Sequence, residues 1–76
     1  MNLEQAVERS LIETLQWGWS DSVPETAFLT ELATRGGLLS HHPNPVAAIR
    51  AALWRLMVRR IIVYRPFQGQ DHFALA

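Results

Sequence analysis

Five arginines in the second half of the sequence are the residues whose type and spacing most directly suggest binding chemistry. A guanidinium group forms paired hydrogen bonds with phosphates and with guanine base edges. Asn44 stands directly before a proline, at a helix start whose free backbone amides could hold a further phosphate. The candidates for contact with double-stranded DNA are therefore Asn44, Arg50, Arg55, Arg59, Arg65 and His72.

The distribution of charge predicts that the second half of the chain is basic, but the number of charges limits its affinity for DNA. The 76 residues carry seven basic and seven acidic side chains, so the net charge is zero. Residues 1–38 hold two arginines and six acidic residues, whereas residues 39–76 hold five arginines and one aspartate. Because about five arginines neutralise only a few phosphates, DNA affinity from charge alone would be modest and steeply salt-dependent. A dimer or a larger complex would then be required.

Aromatic residues favour a second interpretation, in which the partner is a protein. The chain has three tryptophans, and an exposed tryptophan is a typical anchor of a protein interface. The buried core is the ordinary place for two of the three. An exposed patch around Trp54 would mark a protein partner or a homodimer. The candidates for this interface are Trp54, Val58, Trp17 and Trp19.

Catalytic and metal sites are not indicated by the sequence. The absence of cysteine excludes disulfides and thiolate zinc sites. His41 and His42 are neighbours in a predicted loop, where their side chains point apart, and neither they nor His72 have a suitably spaced carboxylate. Ser40 and His41 are adjacent, and no acid orients them as a catalytic pair. We therefore expect neither an enzyme nor a bound cofactor or metal.

Length and hydropathy suggest a small domain without a membrane segment. No apolar run approaches the roughly 18 residues that span a bilayer, and the first residues lack the pattern of a signal peptide. We expect a single domain over residues 1–76, located in the cytoplasm and without a membrane partner.

Two amphipathic helices are predicted in the first half. Leucine or valine at every fourth position predicts a helix over about 3–16, begun by a capping box of Asn2 and Gln5 and with Glu4 and Glu8 facing solvent. The second helix is predicted over about 24–35. Ser22 and Glu25 would form its capping box, Glu31 and Arg35 an outer ion pair, and Gly36-Gly37 its end. A loop follows, from which Leu38 or Leu39 would enter the core.

The third helix, over about 45–60, is predicted to carry the functional face. Asn44 suits its N-cap and Pro45 its first position. Its apolar side would be formed by Val46, Ile49, Leu53, Leu56 and Met57. The opposite side carries Ala47, Ala51, Arg55 and Val58, with Arg50 and Trp54 on one flank and Ala48 and Arg59 on the other.

The last segment predicts a β-hairpin packed on the helices. Residues 61–65 are β-branched and aromatic, residues 66–71 contain a proline and a glycine, and residues 72–76 alternate with Phe73 and Leu75 on one face. Because two strands alone are unstable, the hairpin must lie on the helices. The fold class is therefore α+β, mainly α: three helices closed by a C-terminal two-stranded β-hairpin wing.

This pattern resembles the winged helix-turn-helix superfamily. The resemblance is carried by the segment Pro45-Val-Ala-Ala-Ile-Arg-Ala-Ala-Leu-Trp-Arg-Leu, then by Arg59-Arg60-Ile61-Ile62 and by Phe73-Ala-Leu75, and it is nearest to domains of the HARE-HTH kind. The resemblance implies a winged-helix fold and an association with bacterial transcription or restriction proteins. The chain departs from the pattern in its longer link before the third helix, and in having Arg60 where a glycine is expected.

Two functions remain open at this point. The first is a small DNA-binding winged helix in transcription regulation, as a dimer and from a phage or mobile element. The second is a winged helix that binds protein, either as a small subunit of a larger assembly or as a phage-encoded inhibitor of a host nucleoprotein complex. In both, the partner meets the outer face of the third helix.

Overall fold

The computed structural model describes residues 2–17 and 22–76, and it contains three helices and a three-stranded antiparallel sheet. In chain order the elements are α1 (Leu3–Trp17), β1 (Val23–Pro24), α2 (Glu25–Ala33), α3 (Pro45–Val58), β2 (Ile62–Tyr64) and β3 (His72–Leu75). The sheet order is β1-β3-β2. The predicted α+β class, mainly α, is confirmed, and the topology is winged-helix-like.

The first helix begins with the predicted capping box. The Gln5 amide donates to Oδ1 of Asn2 over 2.9 Å, and the Asn2 amide donates to Oε1 of Gln5 over 3.3 Å. These two reciprocal bonds satisfy donors that the helix start leaves without intrahelical partners. The face that follows is buried through Val7, Leu11 and Leu15.

The second helix is shorter than predicted. It begins at Glu25 with Pro24 as its N-cap and without a side-chain cap hydrogen bond, so the predicted capping box of Ser22 and Glu25 is not its start. It ends at Ala33 because Thr34 is extended. Arg35 therefore lies beyond the helix, and the expected ion pair between Glu31 and Arg35 is absent among the described residues.

A short strand before α2 corrects the predicted two-stranded sheet. Val23 pairs with Phe73 and Pro24 with His72, so β1 adds a third strand on one side of β3. Pro24 lacks an N–H, and an edge strand is where a sheet tolerates that loss. The Glu25 amide also donates to the carbonyl of Asp71 over 2.9 Å, which ties the start of α2 to the hairpin.

The third helix begins at Pro45 as predicted and ends two residues earlier than predicted, at Val58. Its end is a Schellman motif, in which the Ile61 amide donates to the Leu56 carbonyl and the Arg60 amide donates to the Met57 carbonyl. This motif needs a residue with positive φ, and Arg60 supplies it at φ 60°. An arginine therefore occupies the position that glycine usually fills.

The core lies between the three helices and one face of the sheet. Leu39 from the long loop is 1% exposed and Leu38 is 44% exposed, which decides between the two predicted candidates. Val46 and Met57 are only partly buried, and Ala52 takes a fully buried place on α3 that the helical projection did not assign. Within the described ranges no helix is both long enough and apolar enough to cross a membrane. The largest fully buried side chains are Phe28, Leu11, Leu39, Ile49, Leu53, Leu56, Ile62 and Val23.

Candidate functional site

The outer face of α3 carries an apolar stripe. Trp54 is 65% exposed and Val58 is 63% exposed, and both are large hydrophobic side chains. At 100° per residue they share one side of the helix with two exposed alanines, and we call these four residues the outer stripe: Ala47, Ala51, Trp54 and Val58. Small residues thus occupy the first half of the stripe and large ones the second half.

Along one edge of the outer stripe, two arginines form an ion-pair network with a glutamate of α1. Nε of Arg55 lies 2.7 Å from Oε2 of Glu8, and a guanidinium nitrogen of Arg59 donates to Oε1 of the same carboxylate. The Glu8 side chain is 14% exposed and that of Arg55 is 33% exposed. The expectation that Glu8 faces solvent is wrong, because α1 packs beside α3 and turns this carboxylate towards the two arginines.

The negative charge of Glu8 is stabilised by Arg55 and Arg59. Burial disfavours the charged carboxylate, but hydrogen bonds from Arg55 and Arg59 and their positive charges outweigh that effect, so the pKa of Glu8 is lowered from 4.5. The carboxylate is therefore ionised at neutral pH. It compensates much of the positive charge that these arginines would otherwise present to a ligand.

Along the other edge of the outer stripe, an arginine forms an ion pair with a glutamate of α2. Nε of Arg50 lies 2.8 Å from Oε1 of Glu25, whose side chain is 17% exposed. The hydrogen bond and the charge of Glu25 raise the pKa of Arg50. Arg50 and Arg55 of α3, and Arg59 directly after it, belong to the predicted DNA-binding set, and all three contact glutamates of α1 or α2.

The other residues of the predicted DNA-binding set lie around the start of α3 and on the hairpin. Asn44 is the N-cap of α3, and its Oδ1 accepts from the Ala47 amide over 3.1 Å. His72 packs edge-on against Phe67, with ring centroids 5.6 Å apart. The backbone amide of Arg65 donates to the His72 carbonyl, and the Arg65 side chain is exposed.

The predicted tryptophan surface divides into separate parts. Trp17 is 84% exposed at the end of α1. Leu3 lines one cavity together with Ala51, and Ile12 lines another together with Arg59 and Ile61, so α1 and α3 run in the same general direction. Trp17 is the last residue of α1 and stands nine residues after Glu8, the α1 residue that contacts Arg55 and Arg59. Trp19 is outside the described residues.

A hollow opens beside the outer stripe, and the sequence analysis did not find it. It has a volume of about 150 Å³. Ala51 belongs both to the stripe and to the wall of this cavity, which we call the α3 hollow. Its apolar lining comes from α1, the long loop and α3, namely Leu3, Val7, Leu39, Ala48 and Ala51, with Glu4, His42 and Arg55 at the charged or polar positions.

The chain was compared with known proteins in three ways. No protein-family model matches this chain, and neither does any curated protein or any solved structure. Within the described part of the chain, no three histidine, aspartate or glutamate side chains come together as a metal-binding group. The geometry of the site is an exposed apolar stripe between two arginine–glutamate ion-pair clusters, with a hollow at the edge where Arg55 lies.

Proposed function

We propose that this protein is a protein-binding module that uses the outer face of α3 as its docking surface. The observation that carries the proposal is the combination of an exposed Trp54 and Val58 with flanking arginines that already have carboxylate partners. Tryptophan anchors in apolar patches dominate the energies of protein interfaces. A neutral polar rim around such a patch is also typical of them.

Binding to double-stranded DNA is the competing proposal, and the charges on α3 count against it. A phosphate would have to replace the contacts of Glu25 with Arg50 and those of Glu8 with Arg55 and Arg59. Much of the affinity of DNA-binding proteins comes from neutralising phosphates with free cationic groups. In such a complex, the apolar outer stripe between the arginines would lie against the charged phosphate backbone of the DNA. We place the protein in the cytoplasm as part of this proposal.

A photo-crosslinking experiment tests the docking surface directly. A benzoylphenylalanine is introduced at Val58 in cells that produce the protein, and a matched control carries it at Thr30, an exposed position on α2. Illumination should give an adduct from position 58 that protease removes and nuclease does not. The Thr30 control should give none.

Two results would overturn the proposed function. One is an adduct at Val58 that nuclease removes, which would identify nucleic acid as the partner of this face. The other is the absence of any adduct from position 58 while the protein is folded and illuminated under the same conditions. Either result would remove α3 as a protein-docking surface.

A further inference from the structure

We propose that a cavity between α2, α3 and the hairpin is a binding site for a small primary amine in its cationic form. The cavity has a volume of about 300 Å³, and we call it the α2–α3 cavity. None of the four residues of the outer stripe lines it, so the inference is independent of the docking surface proposed above. Its lining includes an apolar side with Leu29 and Val46, and a polar side with Glu25, Arg50, Gln70 and Asp71.

The charges of the lining leave one carboxylate in excess. Nε of Arg50 lies 2.8 Å from Oε1 of Glu25, so these two charges compensate each other. Asp71 forms no ion pair among the described residues, and its Oδ1 accepts from the uncharged hydroxyl of Tyr64. Two negative groups and one positive group therefore line the cavity, and a cationic ligand would complement them.

The α3 hollow does not share this excess of negative charge. Its lining carries one carboxylate, Glu4, and one guanidinium, Arg55. In the α2–α3 cavity, by contrast, an anionic ligand would lie close to the uncompensated carboxylate of Asp71. The charge of the lining therefore favours a cation at this particular cavity.

The two carboxylates are held in place before any ligand binds. Glu25 is the first residue of α2, and its amide donates to the carbonyl of Asp71 over 2.9 Å. The Tyr64 hydroxyl donates to Oδ1 of Asp71 over 2.6 Å. An ammonium group has three hydrogen-bond donors. Oδ2 of Asp71 and the side-chain carbonyl of Gln70 have no partner in the described part of the chain, so both can accept from it.

The apolar side of the cavity determines the size of the ligand. Leu29 and Val46 are only partly buried, so they offer apolar contact to a ligand. A volume of about 300 Å³ is at the lower limit of ligand pockets, and an apolar cavity of roughly 150 Å³ already holds benzene. One ring or one short alkyl chain with its ammonium group therefore fits. Free amines and the lysine side chain of another protein share this chemistry.

A titration with benzylamine, followed through the amide signals in proton–nitrogen NMR spectra, tests the inference. Benzylamine should shift the signals of Leu29, Val46 and Gln70. We expect a dissociation constant on the order of millimolar, because the ligand is small. Benzyl alcohol and benzoate carry the same ring without a positive charge, and each should bind roughly tenfold more weakly or not at all.

Three variants separate the charge of the cavity from the charge of the whole chain. Asp71→Asn removes the excess carboxylate and should weaken benzylamine binding roughly tenfold. Glu31→Gln makes the same change of net charge at an exposed position of α2 outside the cavity, and should leave binding unchanged. Arg50→Gln removes the competing cation and should strengthen binding. The same spectra verify that each variant is folded.

A second probe, Nα-acetyllysine methylamide, distinguishes the two sources of the amine. Binding of this probe would assign the site to a lysine of a partner protein, and binding of benzylamine alone would assign it to free amines. The inference is overturned if neither amine gives a saturable shift up to about 0.1 M. It is also overturned if benzyl alcohol or benzoate binds as tightly as benzylamine, or if Asp71→Asn leaves amine binding unchanged. Crosslinking from position 58 concerns another surface, so its outcome does not decide this one.

Discussion

Nε of Arg55 on α3 lies 2.7 Å from Oε2 of Glu8 on α1. This contact joins two helices that are far apart in sequence, and it fixes an arginine that the sequence alone assigned to a ligand. The same carboxylate accepts from Arg59. Part of the basic character of the second half of the chain is therefore used within the fold.

The Glu8 network should make stability depend on acid pH. The pKa of Glu8 is lowered from 4.5 in the folded protein, so the unfolded chain takes up this proton more readily than the folded one. The contribution of Glu8 is present above pH 4.5 and is lost as the pH falls through the lower folded pKa.

Urea unfolding of the wild type and of Glu8→Gln between neutral pH and pH 3 measures this dependence. At neutral pH the variant should lose about 1 kcal/mol of unfolding free energy, a value between those of exposed and buried ion pairs. The difference should shrink as the pH falls below 4.5. A difference that stays constant over this range would contradict the assignment.

The same substitution should change the interaction with DNA. Glu8→Gln leaves Arg55 and Arg59 without their carboxylate, whereas Glu4→Gln, at an exposed position of the same helix, changes the net charge equally. Fluorescence anisotropy with a labelled duplex at low salt should show weak binding by the wild type. It should show tighter binding by Glu8→Gln than by Glu4→Gln.

The salt dependence provides a second measurement. Freeing up to two arginines should make the slope of log K against log salt steeper by roughly 1–2 in Glu8→Gln. A wild type that binds duplex DNA tightly, and loses this binding in the Arg55→Ala/Arg59→Ala double variant, would instead favour the DNA-binding proposal.

Arg60 is expected to be a position where the protein can be stabilised. Its φ of 60° is left-handed, which costs a residue with a Cβ about 1–2 kcal/mol. Arg60→Gly relieves this strain but adds freedom to the unfolded chain worth about 0.4–1 kcal/mol. The net gain should be about 0.5–1 kcal/mol, measured by chemical unfolding.

The matched control for this position is Arg60→Ala. Alanine removes the same charged side chain but keeps the Cβ, so it should not reproduce the gain. Equal stabilisation by both variants would mean that loss of the arginine charge, and not relief of the backbone, is the cause.

The single tyrosine offers a spectroscopic test of the hairpin. The Tyr64 hydroxyl donates to Oδ1 of Asp71 over 2.6 Å, and this hydrogen bond, together with desolvation and the aspartate charge, raises the pKa of Tyr64 above 10.0. Asp71→Asn should lower the pH at which phenolate absorbance appears. The backbone carbonyl of residue 71 remains available to Glu25, so the variant keeps that contact. Identical titration curves would show that the hydrogen bond is not formed.

The helices could be predicted from the sequence because their signals are local. The four-residue period of α1, and the Asn44-Pro45 start of α3, are complete within a few neighbouring residues. β1 could not be predicted, because a two-residue strand has no period of its own. Val23 is a strand residue only because Phe73 lies beside it, a long-range pairing that local patterns do not contain.

The site could be predicted only in part. Projection of α3 placed Trp54 and Val58 on the outside, and both are exposed. The contacts of the arginines depend on how α1 lies against α3, which a single helix does not reveal. One signal was present, since Glu8 stands one turn before the partly buried Ile12 and so borders the apolar face of α1. The hollow needs three separate segments to form its walls.

The central place of β3 has a consequence for motion. Its two neighbours are far apart in the sequence, β1 ahead of α2 and β2 after α3. Lifting the hairpin away would therefore also break the pairing of Val23 with Phe73 and release the start of α2 from Asp71. Backbone amides in β3 should exchange with solvent only when the whole domain unfolds. The β2–β3 hairpin is therefore not expected to unfold locally as a separate unit.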